Sequence, residues 1–220
     1  AVSAAALIGA LVAAVLVYLA ARTPAGLTPL RLVLTGVALA YGFQAVTSLV
    51  VFLAPNYQSA STVLFWVLGS LGTATWGSLP LAAAGVLVAT VVLLRRSRSL
   101  DVLSMGDETA ASLGVDAVAT RRWMFVLTSV VTGLLVAVSG AVGFVGLVLP
   151  HLVRMLVGST HRRVLAVAPL AGGVFMVWAD VLSRTFFSPQ ELPLGVITAL
   201  VGVPVFVVLL RRRGYLFGGR

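Results

Sequence analysis

The chain has 220 residues, of which 60% are hydrophobic and 10% are charged, and 15 arginines against 6 acidic residues give a net charge of +9. Soluble domains carry about 25% charged residues, so this composition excludes a water-soluble globule and predicts an integral membrane protein. The arginines flank apolar runs in small groups, which is typical of membrane topology and not of nucleic-acid binding. Because the chain has no cysteine, disulfides and thiolate metal sites are excluded.

Seven apolar runs follow one another along the chain, and a straight span needs about 20 residues. The runs cover residues 3–21, 32–54, 79–94, 123–142, 144–158, 166–186 and 194–210. If all seven cross, the arginine groups fall on one side with Arg184 alone on the other, and the positive-inside rule makes the first side the cytoplasm. This charge bias requires the short run 144–158 to cross through a thinned or protein-lined path. The predicted fold is an all-α polytopic membrane bundle with a cytoplasmic C-terminus.

The beginning of the chain carries a second expectation. With seven crossings and an inside C-terminus, the first residue lies outside and enters a membrane segment at once. We therefore expect this sequence to be the C-terminal part of a longer protein.

A helix break and a short helix are predicted between the second and third runs. Pro55 stops the preceding helix, and Ser61-Thr62 could cap a helix over 61–72 that carries Phe65 and Trp66. This helix fits either a position on the lipid headgroups or the outer mouth of a pathway. The preceding run carries polar residues at helical spacing, which fit a pathway lining or contacts between helices. These residues are Gln44, Thr47 and Ser48.

The long polar interval at 95–122 holds four of the six acidic residues between arginine clusters. Asp107 and Glu108 precede an apolar segment and Gly114 follows it, which are helix start and stop signals. They predict one or two short helices outside the bilayer, either in an ordinary solvated loop or in a docking platform for a soluble partner. The apolar stripe of these helices comprises Leu103, Met105, Leu113 and Val115.

Few polar side chains in the apolar runs are spaced so that they could form an ion pair, bind a metal or catalyse a reaction. Asp180 and Arg184 share a helix face four residues apart, so they fit an ion pair within the helix or an arginine that reaches a partner outside. His151 and His161 show no metal-ligand spacing and have no paired carboxylates beside them. We therefore predict no catalytic residue, no metal site and no cofactor in this chain.

Three segments resemble the iron-siderophore, haem and cobalamin permease family, the transmembrane subunits of type II ABC importers. They are residues 105–115, 143–163 (GFVGLVLPHLVRMLVGSTHRR) and 178–213, which includes ELPLGVITALVGVPVF. The resemblance implies a subunit of about ten helices, with seven of them in this chain. It also implies that residues 1–220 form one permease domain in the bacterial cytoplasmic membrane, with 95–122 as its cytoplasmic coupling loop.

The resemblance further implies the partners. Residues 101–116 look like the coupling helices that sit in a cytoplasmic ABC ATPase dimer, which binds the ATP. Arg184 matches a position that docks an extracytoplasmic substrate-binding protein, and helix 61–72, with Phe65 and Trp66, is similar to the outer gate. A second permease copy or a paralogue completes the pathway. The implied coupling residues are Leu103, Gly106, Glu108, Leu113 and Gly114.

Import of a metal chelate, most often a ferric siderophore but also haem or cobalamin, is the function that this resemblance implies. An ion-coupled secondary transporter is the alternative, but such proteins bury ionisable residues at the midplane. Asp180 and Arg154 come nearest here, and both lie toward the ends of their runs. An enzyme would need a catalytic constellation that the sequence lacks.

Overall fold

The computed structural model describes residues 2–23, 28–72, 74–186 and 191–212. Residues 187–190 and Arg213, which belong to the resemblance segment 178–213, lie outside these ranges. Within them the regular elements are ten α-helices: α1 (Val2–Ala21), α2 (Pro29–Phe52), α3 (Tyr57–Leu68), α4 (Leu79–Arg95), α5 (Ser97–Leu103), α6 (Asp107–Ser112), α7 (Ala117–Ser139), α8 (Val145–Val157), α9 (His161–Thr185) and α10 (Leu194–Arg212).

Each predicted apolar run forms a helix, and the prediction of an all-α bundle is confirmed. Among the described residues, α1, α2, α7 and α9 are long and apolar enough to cross a membrane, and α4 with α5, bent by 63°, forms a possible fifth span. The helices α8 and α10 have shorter apolar lengths. The number of seven crossings stays a prediction.

Large apolar side chains cover the outside of the bundle. Leu156 and Phe52 are each 83% exposed, and α2 has no buried residue at all. In water such a surface would be costly, whereas lipid tails are as apolar as the side chains themselves. The distribution of exposed side chains therefore agrees with a bilayer environment.

Helix α7 lies antiparallel between α1 and α4. The rings of Tyr18 and Phe125 are 5.9 Å apart near one end, while Gly133 faces Leu7 nearer the other. A Cβ atom at Gly133 would lie 3.0 Å from the Leu7 Cδ1 atom. Small residues at such crossings let helices approach closely in membranes. We call the end of the bundle that carries α5 and α6 the loop end.

The opposite end is held by hydrogen bonds between backbone groups of three elements. Ser70 N–H donates to the carbonyl of Ser139 (2.9 Å), and Leu194 N–H donates to the carbonyl of Gly69 (3.0 Å). These bonds join the end of α3, the break after α7 and the start of α10. We call this end, which also carries Arg184, the rim end.

Glycines make this rim junction possible. A Cβ atom at Gly195 would lie 2.5 Å from the Leu68 carbonyl oxygen. A Cβ atom at Gly140 would lie 2.9 Å from the Gly69 Cα atom. Gly140 has a φ of 68° and Gly69 a φ of 78°, which glycine adopts without strain. In the glycine-rich segment 139–146, Gly140 serves this tight packing, while Gly146 faces open space.

The short helix α8 follows an irregular segment, residues 140–144. Phe144 has a φ of 64° and packs so closely on Gly202 that a Cβ atom there would lie 2.5 Å from the Phe144 Cβ. Thirteen helical residues give about 20 Å, and five extended residues add at most about 17 Å. The helix alone is shorter than the hydrocarbon thickness of about 30 Å. In the irregular segment Gly140 is buried, whereas Ala141 and Gly143 are exposed, so the crossing of this run stays a prediction.

Two local predictions were wrong. The short helix after the second run spans Tyr57–Leu68 and not 61–72, because the Asn56 side chain accepts the Ser59 N–H and starts it earlier, and Gly69 ends it. The hydroxyls of Ser61-Thr62 bond to the Gln58 carbonyl instead of capping. Pro150 lies inside α8, which continues through it.

Substitution of Gly195 by alanine should destabilise the rim junction. Overpacking of this kind costs about 1–3 kcal/mol, so we expect a lower thermal unfolding temperature of the detergent-solubilised protein. Gly173→Ala is the matched control, because Gly173 also lies in a helix but has nothing within 4 Å of its added Cβ. The control should gain about 1 kcal/mol of helix propensity, and equal melting of the two variants would contradict the close contact.

Candidate functional site

The predicted loop helices form as α5 and α6. Helix α6 ends in two hydrogen bonds typical of a Schellman motif, from Gly114 N–H to the Ala111 carbonyl (3.0 Å) and from Val115 N–H to the Ala110 carbonyl (2.8 Å). Gly114 has a φ of 76°, which only glycine adopts without strain. The predicted stop signal at this position is therefore confirmed.

The loop presents one edge to solvent and buries the other. Ala110 is fully buried, whereas Met105 and Leu113 are 68% and 60% exposed. Glu108 lies on the exposed side, and Leu103 is half-buried. Added Cβ atoms at the two loop glycines would meet nothing within 4 Å, so these positions are open. The candidate coupling residues are therefore exposed, apart from the half-buried Leu103, and their coupling role stays a prediction: Leu103, Gly106, Glu108, Leu113 and Gly114.

An ion pair fastens α6 to α7. The Arg121 guanidinium donates to both carboxylate oxygens of Asp107, at 2.8 Å and 2.5 Å. The hydrogen bond from Arg121 lowers the pKa of the Asp107 carboxyl below its ordinary value. Asp107 is therefore ionised at neutral pH, and this two-pronged geometry fixes orientation as well as charge.

A second polar contact joins α5 to α9. Asp101 Oδ1 accepts the backbone N–H of His161 at 2.9 Å and lies 2.6 Å from its Nδ1 atom. The side chains are 35% and 23% exposed, respectively. A third contact places the Arg96 guanidinium 5.5 Å from the centre of the Trp123 ring, which links the start of the loop to α7.

Sequence analysis did not find these three contacts. Asp101 and His161 are 60 residues apart, and no local periodicity relates them. The available signal was the clustering of acids between arginines, which indicates ion pairs without choosing the partners. The loop is consequently attached to two helices, α7 and α9, besides its covalent connection to α4.

Arg184 lies at the rim end, in an ion pair within its own helix. Its Nε atom donates to Asp180 Oδ2 (2.9 Å) and its Nη2 atom to Oδ1 (3.2 Å). A Glu191 oxygen lies 3.8 Å from Nη1. The Arg184 side chain is still 43% exposed. Arg184 is therefore paired with Asp180 and still partly exposed, and its contact with a partner stays a prediction.

The candidate gate residues separate into two groups. Phe65 and Trp66 line a cleft of about 340 Å³ together with Ser70 and Ser139. The remaining three candidates lie on α2 and do not line this cleft. The hydroxyl of Thr47 donates to the Phe43 carbonyl in its own helix (2.9 Å). These three are Gln44, Thr47 and Ser48.

Metal-ligating side chains are scattered over the bundle. No three of the His, Asp and Glu side chains in the described ranges are placed to hold one ion. His151 Nδ1 lies 2.7 Å from the Leu147 carbonyl oxygen in its own helix. Its position is explained by a local contact.

Comparison with solved structures supports the architecture. One chain, described as the inward-facing conformation of a transporter assigned to the metal-chelate ABC type, matches with a TM-score of 0.76 at 35% identity. The match covers 84% of this chain and 60% of that one.

Comparison of sequences identifies the family. The chain is 44% identical over 211 residues to the cobalamin import system permease protein BtuC of Halobacterium salinarum, covering 95% of this chain and 56% of that protein. It is 39% identical over 184 residues to the Fe(3+) dicitrate transport system permease protein FecD of Escherichia coli, covering 84% and 57%. The chain thus spans somewhat over half the length of these relatives. The FecCD transport family matches residues 1–212, so the chain belongs to this family, and its long apolar helices make it a multi-pass membrane protein.

Proposed function

We propose that this chain is part of the transmembrane permease of an ABC importer that moves a metal chelate inward across the bacterial cytoplasmic membrane. The observation that carries the proposal is the pair of loop helices, which exposes a small apolar and acidic edge while its other side is fastened to the bundle. A solvated loop without a partner has no need of two helices held by separate polar contacts. The loop end is the cytoplasmic side in this proposal, and the rim end faces outward.

The exposed edge formed by α6 and the residues on either side of it fits a groove on a cytoplasmic ATPase dimer. Met105 and Leu113 supply apolar contact, and Glu108 supplies a charge that sets orientation. A short capped helix transmits displacement because its end cannot fray. ATP is bound and hydrolysed by that partner, and a second permease copy or a paralogue completes the pathway, with Phe65 and Trp66 at its outer gate.

Substitution of Gly114 by proline should abolish coupling. Proline fixes φ near −65° and has no N–H, so it is incompatible with the φ of 76° and with the hydrogen bond to Ala111. We expect substrate-loaded binding protein to lose its stimulation of ATP hydrolysis by the reconstituted complex. Gly114→Asn is the matched variant, because asparagine keeps the N–H and tolerates left-handed backbone, and it should retain most of the stimulation.

The loop assignment can also be overturned directly. If a complete complex with residues 101–116 deleted still responded to loaded binding protein with faster ATP hydrolysis, the coupling role would be wrong. If loaded binding protein still stimulated ATP hydrolysis normally in the Gly114→Pro variant, the end of α6 would have no part in coupling.

Arg184 is the proposed docking residue for the substrate-binding protein. It is a basic group at the outward rim with 43% of its side chain exposed. Asp180 and Glu191 surround it with two negative charges against its one. A carboxylate on the binding protein must therefore replace Asp180 as the guanidinium partner, which makes Asp180 a competitor for docking.

Charge reversal at Arg184 and neutralisation of Asp180 should change the affinity for the binding protein in opposite directions. Arg184→Glu should weaken docking about tenfold or more at low ionic strength and less at high salt, since salt screens exposed charges. Asp180→Asn should strengthen docking, because it releases the guanidinium. Titration of labelled binding protein against nanodisc-embedded complex measures both, and unchanged affinity of the Arg184→Glu variant at low salt would remove the docking role.

The relatives are named for the transport of cobalamin, ferric dicitrate, hemin and siderophores, and the proposed cargo is a chelate of this class. Ferric siderophore is our leading proposal, as the commonest cargo that the family resemblance implies. Mass spectrometry of the ligand retained by the cognate binding protein would decide among them. Uptake that followed an ion gradient without ATP would instead support a secondary transporter.

A further inference from the structure

The contact between Asp101 and His161 joins the loop to the first residue of α9. The backbone N–H of His161 is one of the unpaired donors that every helix start leaves. Thr160, the residue before it, provides no side-chain cap. The Asp101 carboxylate supplies that cap from another helix at 2.9 Å, and a negative charge is stabilising at a helix N-terminus.

The surroundings of this contact are packed. Leu100, next to Asp101, is 6% exposed, and Val164, in the first turn of α9, is also 6% exposed. Helices α5 and α9 contact each other along this stretch. Because the neighbouring side chains are fixed, the carboxylate is held at the helix start and is not one of several arrangements of a solvated surface pair.

Helix α9 connects the two candidate sites. It starts at His161 and carries Arg184 in its last turn. Its 25 residues span about 37 Å. The helix therefore runs from the loop end to the rim end with one candidate functional contact at each terminus. The other fastening of the loop, from Asp107 to Arg121, reaches α7 instead.

We propose that Asp101 is a positioning residue that tethers the coupling loop to α9 through His161, so that displacement of the loop moves α9. This inference rests on the proposed function, because it gives the ATPase a route to the helix that carries Arg184. Displacement of the loop moves α7 through the ion pair of Asp107, and it moves α9 through the Asp101 tether. Loss of the tether disconnects α9 while leaving the loop attached to α7.

The effect of the tether on coupling is measured as the amount of cargo transported per ATP hydrolysed. In the complete reconstituted complex, Asp101→Ala should lower the ratio of cargo transported to ATP hydrolysed by about fivefold or more, with ATP hydrolysis retained. Asp101→Asn keeps an oxygen that can accept the His161 N–H, so it should restore part of the ratio. His161→Ala keeps the backbone N–H and should have a smaller effect than Asp101→Ala.

A double-variant cycle separates the tether from general damage. If both residues act through one contact, Asp101→Ala with His161→Ala should be no worse than Asp101→Ala alone. The control pair is Asp116→Asn with His161→Ala, because Asp116 contacts Ala119 at the start of its own helix. The effects of the control pair should add. Additive effects of the Asp101 and His161 substitutions would overturn the tether.

A distance measurement tests the contact without requiring transport. Spin labels at Arg98→Cys and Arg162→Cys report on exposed positions of α5 and α9, and the chain has no cysteine that would compete. We expect one narrow distance distribution, equal with and without ATP, and a broad one in Asp101→Ala. A narrow distribution in that variant overturns the tether, and a broad one with an unchanged transport ratio overturns its role in coupling. A complex that transports nothing contradicts the proposed function, and the distances still test the tether.

Discussion

The satisfaction of backbone hydrogen bonds away from water is the constraint on which this structure depends. A helix satisfies its own backbone inside lipid, but each helix end releases groups that need partners. At the rim end, the groups released by three elements bond to one another, through Ser70 with Ser139 and Leu194 with Gly69. Such bonds require backbones to meet without side chains between them, which explains glycine at Gly140 and Gly195.

The two ends of the bundle are held by different chemistry. The rim end is joined by backbone groups whose positions are set by the helices themselves, so it has few alternative arrangements. The loop end is joined by side chains, through Asp107 with Arg121 and Asp101 with His161. The partly exposed ion pair of Asp107 with Arg121 contributes little stability, but it fixes orientation. The loop end is therefore suited to be displaced as a unit, while the rim junction keeps α3, the end of α7 and α10 together.

Sequence analysis predicted what local periodicity and local chemistry determine. The apolar runs became helices, and Gly114 ended α6, because both depend on neighbouring residues. The start of α3 was misplaced since several polar side chains could cap it, and the side chain that does so is Asn56, which accepts the Ser59 N–H. The Asp101 contact with His161 could not be predicted, because it depends on how α5 and α9 meet.

The paired state of Arg184 also fits a docking contact that must be reversible. The proposed importer has to release its binding protein after each delivery, so the proposed docking residue needs a partner in both states. Asp180 holds the guanidinium at 2.9 Å and 3.2 Å, and an incoming carboxylate would exchange one ion pair for another. The exchange keeps the guanidinium paired in both states, but it releases the Asp180 carboxylate, which loses its partner at the rim. The net gain on docking is consequently small, and orientation and encounter rate benefit more than affinity.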